Sequence, residues 1–297
     1  MTPREEGFLL LTSQLGNPDR KVLTPAQLRE LTRRMASAPR ISADRDLELA
    51  DLLELGYGRE LAGRILALLE EQELLKCYVN RGRKAGCVPI TRVTPEYPVA
   101  LRQRLGGETP GVLWAKGDLS LLNTPAVALV GSRDLRPENR KFAEEAGRQA
   151  AKQDLTLISG NARGADVTAQ NACLRAGGRV ISIVADRLTD HSVKSNVLYL
   201  SEDGFDEEFS AQRALRRNRC IHTMGCPVLV AQANLQKGGT WDGTSKNLRY
   251  GWTPVCCYDD GSDAVRVLGQ MGAVLIGPND LNDLPELGKP EKTLFDR

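Results

Sequence analysis

The sequence has little of the chemistry that most enzymes use. Two histidines, His191 and His222, stand in 297 residues, so tetrahedral zinc spacing and a His-activated nucleophile have almost nothing to draw on. The seven cysteines form no Cys-x-x-Cys pair, and Cys256 and Cys257 lie adjacent in an apolar run, where they read as small buried hydrophobes. No metal, no cofactor and no catalytic residue is expected. No apolar stretch approaches the ~18 residues of a membrane span. Met1-Thr2-Pro3-Arg4-Glu5-Glu6 carries acid where a signal peptide would carry a basic run. The expectation is a cytoplasmic protein without a membrane partner. A dominant charge is also missing: 40 Lys and Arg face 38 Asp and Glu, a net +2. Any anion-binding surface must be local.

What is present divides in two. Residues 1–80 read as helices. Thr2-Pro3 with Glu5-Glu6, and Thr24-Pro25 ahead of Gln27 to Met35, carry cap-and-proline starts. Leu47, Leu49, Leu52, Leu53 and Leu55 crowd into one helix that stops at Gly56, and a second follows Gly58. Leu55-Gly56-Tyr57-Gly58 has the form of a helix-hairpin-helix turn, in which Gly56 and Gly58 would let backbone N–H groups meet a phosphate. It is equally an ordinary helical hairpin.

Residues 81–124, with Pro89, Pro95, Pro98 and Pro110, lose periodicity and read as a connector and lead-in. From 125 to 277 short apolar runs alternate with helical stretches. The runs are Ala126 to Val130, Leu155 to Ile158, Val180 to Val184, Val228 to Ala231, Val255 to Tyr258 and Val274 to Ile276. Several helices stop at glycine (Gly177, Gly225, Gly251, Gly272), the residue that takes a left-handed cap most easily. Strand, helix, strand in sequence predicts a doubly wound parallel α/β sheet behind a small all-helical domain. Residues 278–297 have no such pattern and are expected to form a flexible tail.

In such a sheet, ligands collect beyond the carboxyl ends of the strands. Those positions carry Gly131-Ser132-Arg133, Ser159-Gly160-Asn161-Ala162-Arg163-Gly164 with Asp166, and Lys237-Gly238-Gly239-Thr240-Trp241. The helix before the fourth run holds Arg213, Arg216, Arg217, Asn218 and Arg219. Glycine admits backbone N–H groups to a ligand at a helix start, hydroxyls add a hydrogen bond, and Arg or Lys supplies charge, so the predicted ligand is a phosphate. Each signature has a structural reading too. The glycines can be tight turns, Asp166 can answer a helix dipole, and the arginines can form a solvated face against Glu202 to Glu208. The G-x-G-x-x-G and Walker patterns are absent, against a dehydrogenase or a P-loop ATPase.

Taken together these segments resemble the DNA-processing protein A (DprA/Smf) family over about residues 90 to 276. Thr94-Pro95-Glu96-Tyr97-Pro98 and Val112-Leu113-Trp114 before Gly117-Asp118 are similar to its lead-in. The resemblance implies a Rossmann-like domain after a SAM-like helical one. It also implies single-stranded DNA as ligand, a homodimer, and delivery of the strand to a RecA-type recombinase in natural transformation or related recombination. Carried over by position, Ser132, Arg133, Ser159, Gly160 and Arg163 would hold backbone phosphate. Lys194 with Asn196 falls where the family has a basic DNA-contacting loop, although Ser192-Val193 replaces the family's usual Tyr-Pro. No segment matching the C-terminal winged helix of many members follows.

An alternative is a sensor or hydrolase of a free nucleotide in the same pocket. LOG-type phosphoribohydrolases carry a Gly-Gly-x-Gly-Thr-x-x-Glu turn, and here Gly243 stands at the carboxylate position with Asp242 beside it. Without that carboxylate, hydrolysis is not expected. Trp241, Tyr250 and Trp252 cluster near the turn, either as core or as faces on which bases stack.

Overall fold

The structure, a computed structural model, describes residues 1–38, 46–287 and 289. Five helices come first: α1 (Pro3–Thr12), α2 (Pro25–Ala36), α3 (Leu49–Glu54), α4 (Arg59–Glu70) and α5 (Gln72–Lys84). Both predicted caps form as reciprocal boxes, Thr2 with Glu5 and Thr24 with Gln27. Leu52, Ala62, Ile65 and Leu68 fill a small core among them. Arg20 ties this layer together from inside. At 6% exposure its guanidinium donates to Glu71, Ser13 O, Leu10 O and Leu68 O.

The chain then enters the sheet through β1 (Cys87–Thr91), α6 (Val99–Leu105) and β2 (Val112–Gly117). The irregular connector expected at 81–124 is therefore largely ordered structure: β1 and β2 are antiparallel strands at one edge of the sheet. Its prolines sit in β1 and in the turns around α6, where a missing N–H is tolerated. Nor is the helical layer set apart. Gly82 of α5 lies against Trp114, and Tyr78, Trp114 and Phe205 pack together with ring centroids 4.7 to 5.2 Å apart, Tyr78 edge-on to Trp114.

The remaining elements are β3 (Ala126–Val130), α7 (Pro137–Lys152), β4 (Thr156–Ser159), α8 (Ala165–Arg175), β5 (Arg179–Ile183), β6 (Val197–Ser201), α9 (Ala211–Met224), β7 (Val228–Val230), α10 (Gly238–Tyr250), β8 (Val255–Tyr258), α11 (Asp263–Gln270) and β9 (Val274–Ile276). Among the described residues they make one sheet in the order β1-β2-β6-β5-β4-β3-β7-β8-β9, parallel from β6 to β9. Cores lie on both faces, as a doubly wound sheet requires. The chain builds outward from β3 to β6, then returns and builds the other way from β7, so the order reverses between β3 and β7. That reversal opens a crevice beyond their carboxyl ends.

Two details differ from expectation. Gly225 has φ −94°, not left-handed; it is needed because a Cβ there would lie 2.3 Å from the Ala128 amide. The tail from 278 is not loose where described. Leu281 and Leu284 are fully buried, and Gln153 bonds Leu281 O and the Leu284 amide. Apolar burial against α7 holds this segment, and residues 288 and 290–297 lie outside the described residues.

Candidate nucleic-acid interface

The loops after β3, β4 and β5 meet at the crevice. Gly164 joins the first two: its φ is +89°, and a Cβ would fall 2.4 Å from the carbonyl oxygens of Ser132 and Arg133. Only glycine allows that approach. The Ala165 amide then donates to Ser132 O. Gly131 closes the same contact, since a Cβ there would lie 2.5 Å from that of Ala165.

This packing sets out a row of cations. Arg133 is exposed, and no ion pair is found for it among the described residues. Arg163 lies beside it, also exposed, and pairs with Asp134 at 2.8 Å. Across the crevice Lys237 is exposed at the head of α10, whose first turn, Gly238-Gly239-Thr240, has no side-chain cap. Asn218 holds that turn against α9 by donating to Gly239 O at 3.1 Å. An uncapped thirteen-residue helix presents free N–H groups and the positive end of its dipole.

Beneath the rim lies a buried charge network. Arg217, 8% exposed, donates from Nη1 to Ile183 O at 2.5 Å, and its Nε has no partner among the described residues. Burial pushes its pKa down, against the pull of Asp166 and Asp186. Asp166 accepts from the amides of Gly160 and Ala162, both at 3.1 Å. Burial raises the Asp166 carboxyl, opposed first by Arg217 and then by those amides.

The structure thus brings together Gly131, Ser132, Arg133, Gly160, Asn161, Arg163, Gly164, Arg217, Asn218, Lys237, Gly239 and Thr240. Some of these are occupied otherwise, and other expected residues lie elsewhere. Ser159 is fully buried, its hydroxyl accepting from Gln170 at 2.6 Å, so it is not presented to a phosphate. The Gly160 amide is committed to Asp166. Arg217 points inward, as a counter-ion to carboxylates. Arg219 is on the far side of α9, ion-paired to Glu202 at 2.7 Å. Lys194 precedes β6, where Asn196 O accepts from Val180 at the start of β5. It therefore sits at the opposite end of the strands from the rim. Gly56 and Gly58 are remote too: the carbonyl of Leu55 in their hairpin is held by Arg34 at 2.7 Å.

Sequence reasoning missed Phe209. It is 56% exposed and lines a cavity of about 310 Å³ with Arg133, Arg163, Asp186 and Arg217. The available signal was a second aromatic, after Phe205, in an acidic loop with no apolar periodicity around it. The aromatics that did draw notice are elsewhere. Tyr250 stacks on Trp252 at the far end of α10, and Trp241 packs partly buried against the core.

Fold and site together define a Rossmann-like α/β protein with a row of exposed cations at its topological switch point. Residues 89–276 match the model of DNA recombination-mediator protein A, and the chain belongs to that family. The DNA processing protein DprA of Streptococcus pneumoniae is 33% identical over 141 residues, 44% of this chain and 50% of that protein. Its Bacillus subtilis counterpart is 27% identical over 168 residues, 52% of this chain and 56% of that protein. The chain spans about half the length of these curated relatives. A crystal structure of the S. pneumoniae protein superposes with a TM-score of 0.71 at 25% identity, covering 95% of this chain and 97% of that one. A structure of DNA processing protein A from Helicobacter pylori, determined for its single-stranded DNA binding mode, matches at TM-score 0.57 and 24% identity. It covers 68% of this chain and 97% of that one.

Proposed function

We propose that this protein binds single-stranded DNA along the rim. Arg133, Arg163, Lys237 and the open start of α10 would hold successive phosphates, with Phe209 as a stacking face for a base. The observation that carries this is Arg133: an exposed guanidinium with no ion pair among the described residues, on one edge with two further cations and an uncapped helix. Family membership supports the same reading, as does the ligand of the H. pylori relative. The wider role is recombination mediation: a homodimer in the cytoplasm that passes the strand to a RecA-type recombinase, during DNA uptake or another recombination process. No described helix is long and apolar enough to cross a membrane.

A hydrolase finds less support. A Cβ at Gly243 would lie 2.8 Å from His222 Nε2, so the position where a carboxylate would be needed faces a packed histidine. Asp242 pairs with Lys246 at 2.9 Å and lines the crevice toward the helical layer, away from the rim.

The test is a length series of oligo-dT against mononucleotides at two ionic strengths. Strand binding predicts affinity rising with length and a log-log salt slope of about −0.7 per phosphate held. A shallow slope with no gain beyond a mononucleotide would replace this reading with that of a nucleotide sensor.

A further inference from the structure

The aromatic pair at the far end of α10 takes no part in the rim. Gly251, at φ +62°, reverses the chain so that Tyr250 and Trp252 stack, with ring centroids 5.5 Å apart and planes 18° from parallel. Trp252 is partly buried against the core, which fixes the pair from below. Tyr250 lies outermost and is 64% exposed. A stack already held in place loses little rotamer freedom when another ring is laid on it.

Two further observations say what that ring belongs to. The first is charge. Arg249 is exposed, with no ion pair among the described residues, and Lys246, one turn before Tyr250, is shared with Asp242 at 2.9 Å. The second is continuity with the rim. A crevice of about 580 Å³ runs between the helical layer and α9–α10, and Asp242, Lys246 and Trp252 line it. Exposed Leu215 and Asn218 line both this crevice and the cavity at the rim beside Gly238 and Thr240. Of the carboxylates along the crevice, Glu202, Asp203 and Asp242 are paired with Arg219, Arg216 and Lys246. Glu108, in the turn after α6, has no ion pair among the described residues. At a rise of ~1.5 Å per residue, α10 carries Tyr250 about 18 Å from Gly238. That is about five nucleotides at the ~3.4 Å spacing of stacked bases.

We propose that a strand held at the rim continues along α10, where Tyr250, backed by Trp252, is a second stacking platform and Arg249 meets the adjoining phosphate. Stacking on an open ring face accepts any base, so this platform adds affinity with length and no sequence preference. The proposal rests on the strand-binding reading above and deepens it by extending the path of the strand beyond the rim.

The experiment is fluorescence anisotropy at fixed salt with dT6, which spans the rim, and dT20, which spans rim and platform. Tyr250→Ala should weaken dT20 binding about tenfold, the scale of one base stacked on an aromatic side chain, and leave dT6 within about twofold of wild type. Tyr250→Phe keeps the ring and should match wild type with both strands. Where dT6 binds too weakly to measure, the dT20 comparison decides alone. Unchanged dT20 affinity in Tyr250→Ala overturns the platform while strand binding stands, and leaves the exposed pair to a protein partner. An equal loss on dT6 and dT20 also overturns it, because the ring then acts on the rim through the fold. A loss in Tyr250→Phe as large as that in Tyr250→Ala assigns the contact to the hydroxyl and overturns stacking. Absence of dT20 binding by the wild type would instead remove the strand-binding reading itself.

Discussion

Arg217 occupies the space that a side chain on residue 160 would need: an ideal Cβ on Gly160 would lie 1.7 Å from Nη1 and 2.3 Å from Cζ. The glycine is present so that a buried guanidinium can pass over the end of β4 to Ile183 O. Gly160→Ala must therefore move the guanidinium or the loop. It should cost about 1–3 kcal/mol of stability, the usual penalty of overpacking, and weaken oligo-dT binding. Urea unfolding and anisotropy read both effects, and wild-type values in both would show that Arg217 has somewhere else to go.

Arg133 and Lys194 are both exposed cations, yet they stand at opposite ends of the strands. Arg133→Ala should lower affinity for oligo-dT whatever the sequence and reduce the salt slope by about 0.7. Lys194→Ala should leave both nearly unchanged. The reverse result would move the interface to the β5–β6 loop.

His222 is fully buried, with its Nδ1 3.3 Å from the Asn247 amide and its Nε2 unpartnered among the described residues. Burial pushes its pKa down to about 4 from an ordinary 6.5. The folded state therefore resists the proton that the unfolded chain accepts. This part of the stability is intact above pH 6.5 and is lost as pH falls toward 4, at about 1.4 kcal/mol per pH unit. Urea midpoints measured from pH 7 to 4 should fall, and His222→Gln should flatten part of that fall. An identical slope in the variant would assign the acid sensitivity to other groups.

Arg20 satisfies three backbone carbonyls from α1, the turn after it and α4. Arg20→Met keeps the apolar stem and strips the donors, leaving those oxygens buried without partners. A loss of about 2–4 kcal/mol is expected in urea unfolding, with oligo-dT affinity of the folded protein preserved. A loss below about 0.5 kcal/mol would mean that water replaces the guanidinium.

Much of the architecture was legible because it is local. The caps at Thr2 and Thr24 depend on residues three apart, and the buried parallel strands are continuous apolar runs whatever surrounds them. β6 was missed because the link from β5 contains no α-helix, only a 3-10 turn at Leu188–Asp190, so the alternation that marks the other crossovers is broken. β1 was missed because Pro89 interrupts it, as an edge strand tolerates, and β2, paired on both sides, because prolines and glycines surround it in sequence.

The order of elements, the caps and the glycine turns that bring three loops to one edge were determined by the amino-acid sequence itself, through backbone sterics and short-range hydrogen bonding. The direction of each side chain was not. Arg217 and Arg219 are two positions apart, hence about 200° apart around α9; one lies beneath the rim and the other pairs with Glu202 on the far side. Likewise, Phe209 becomes part of the pocket only because its loop folds back over the end of β5. Which face of a helix meets the sheet, and which carboxylate claims an amide, depends on contacts among residues far apart in the chain, and those exist only once the core has packed.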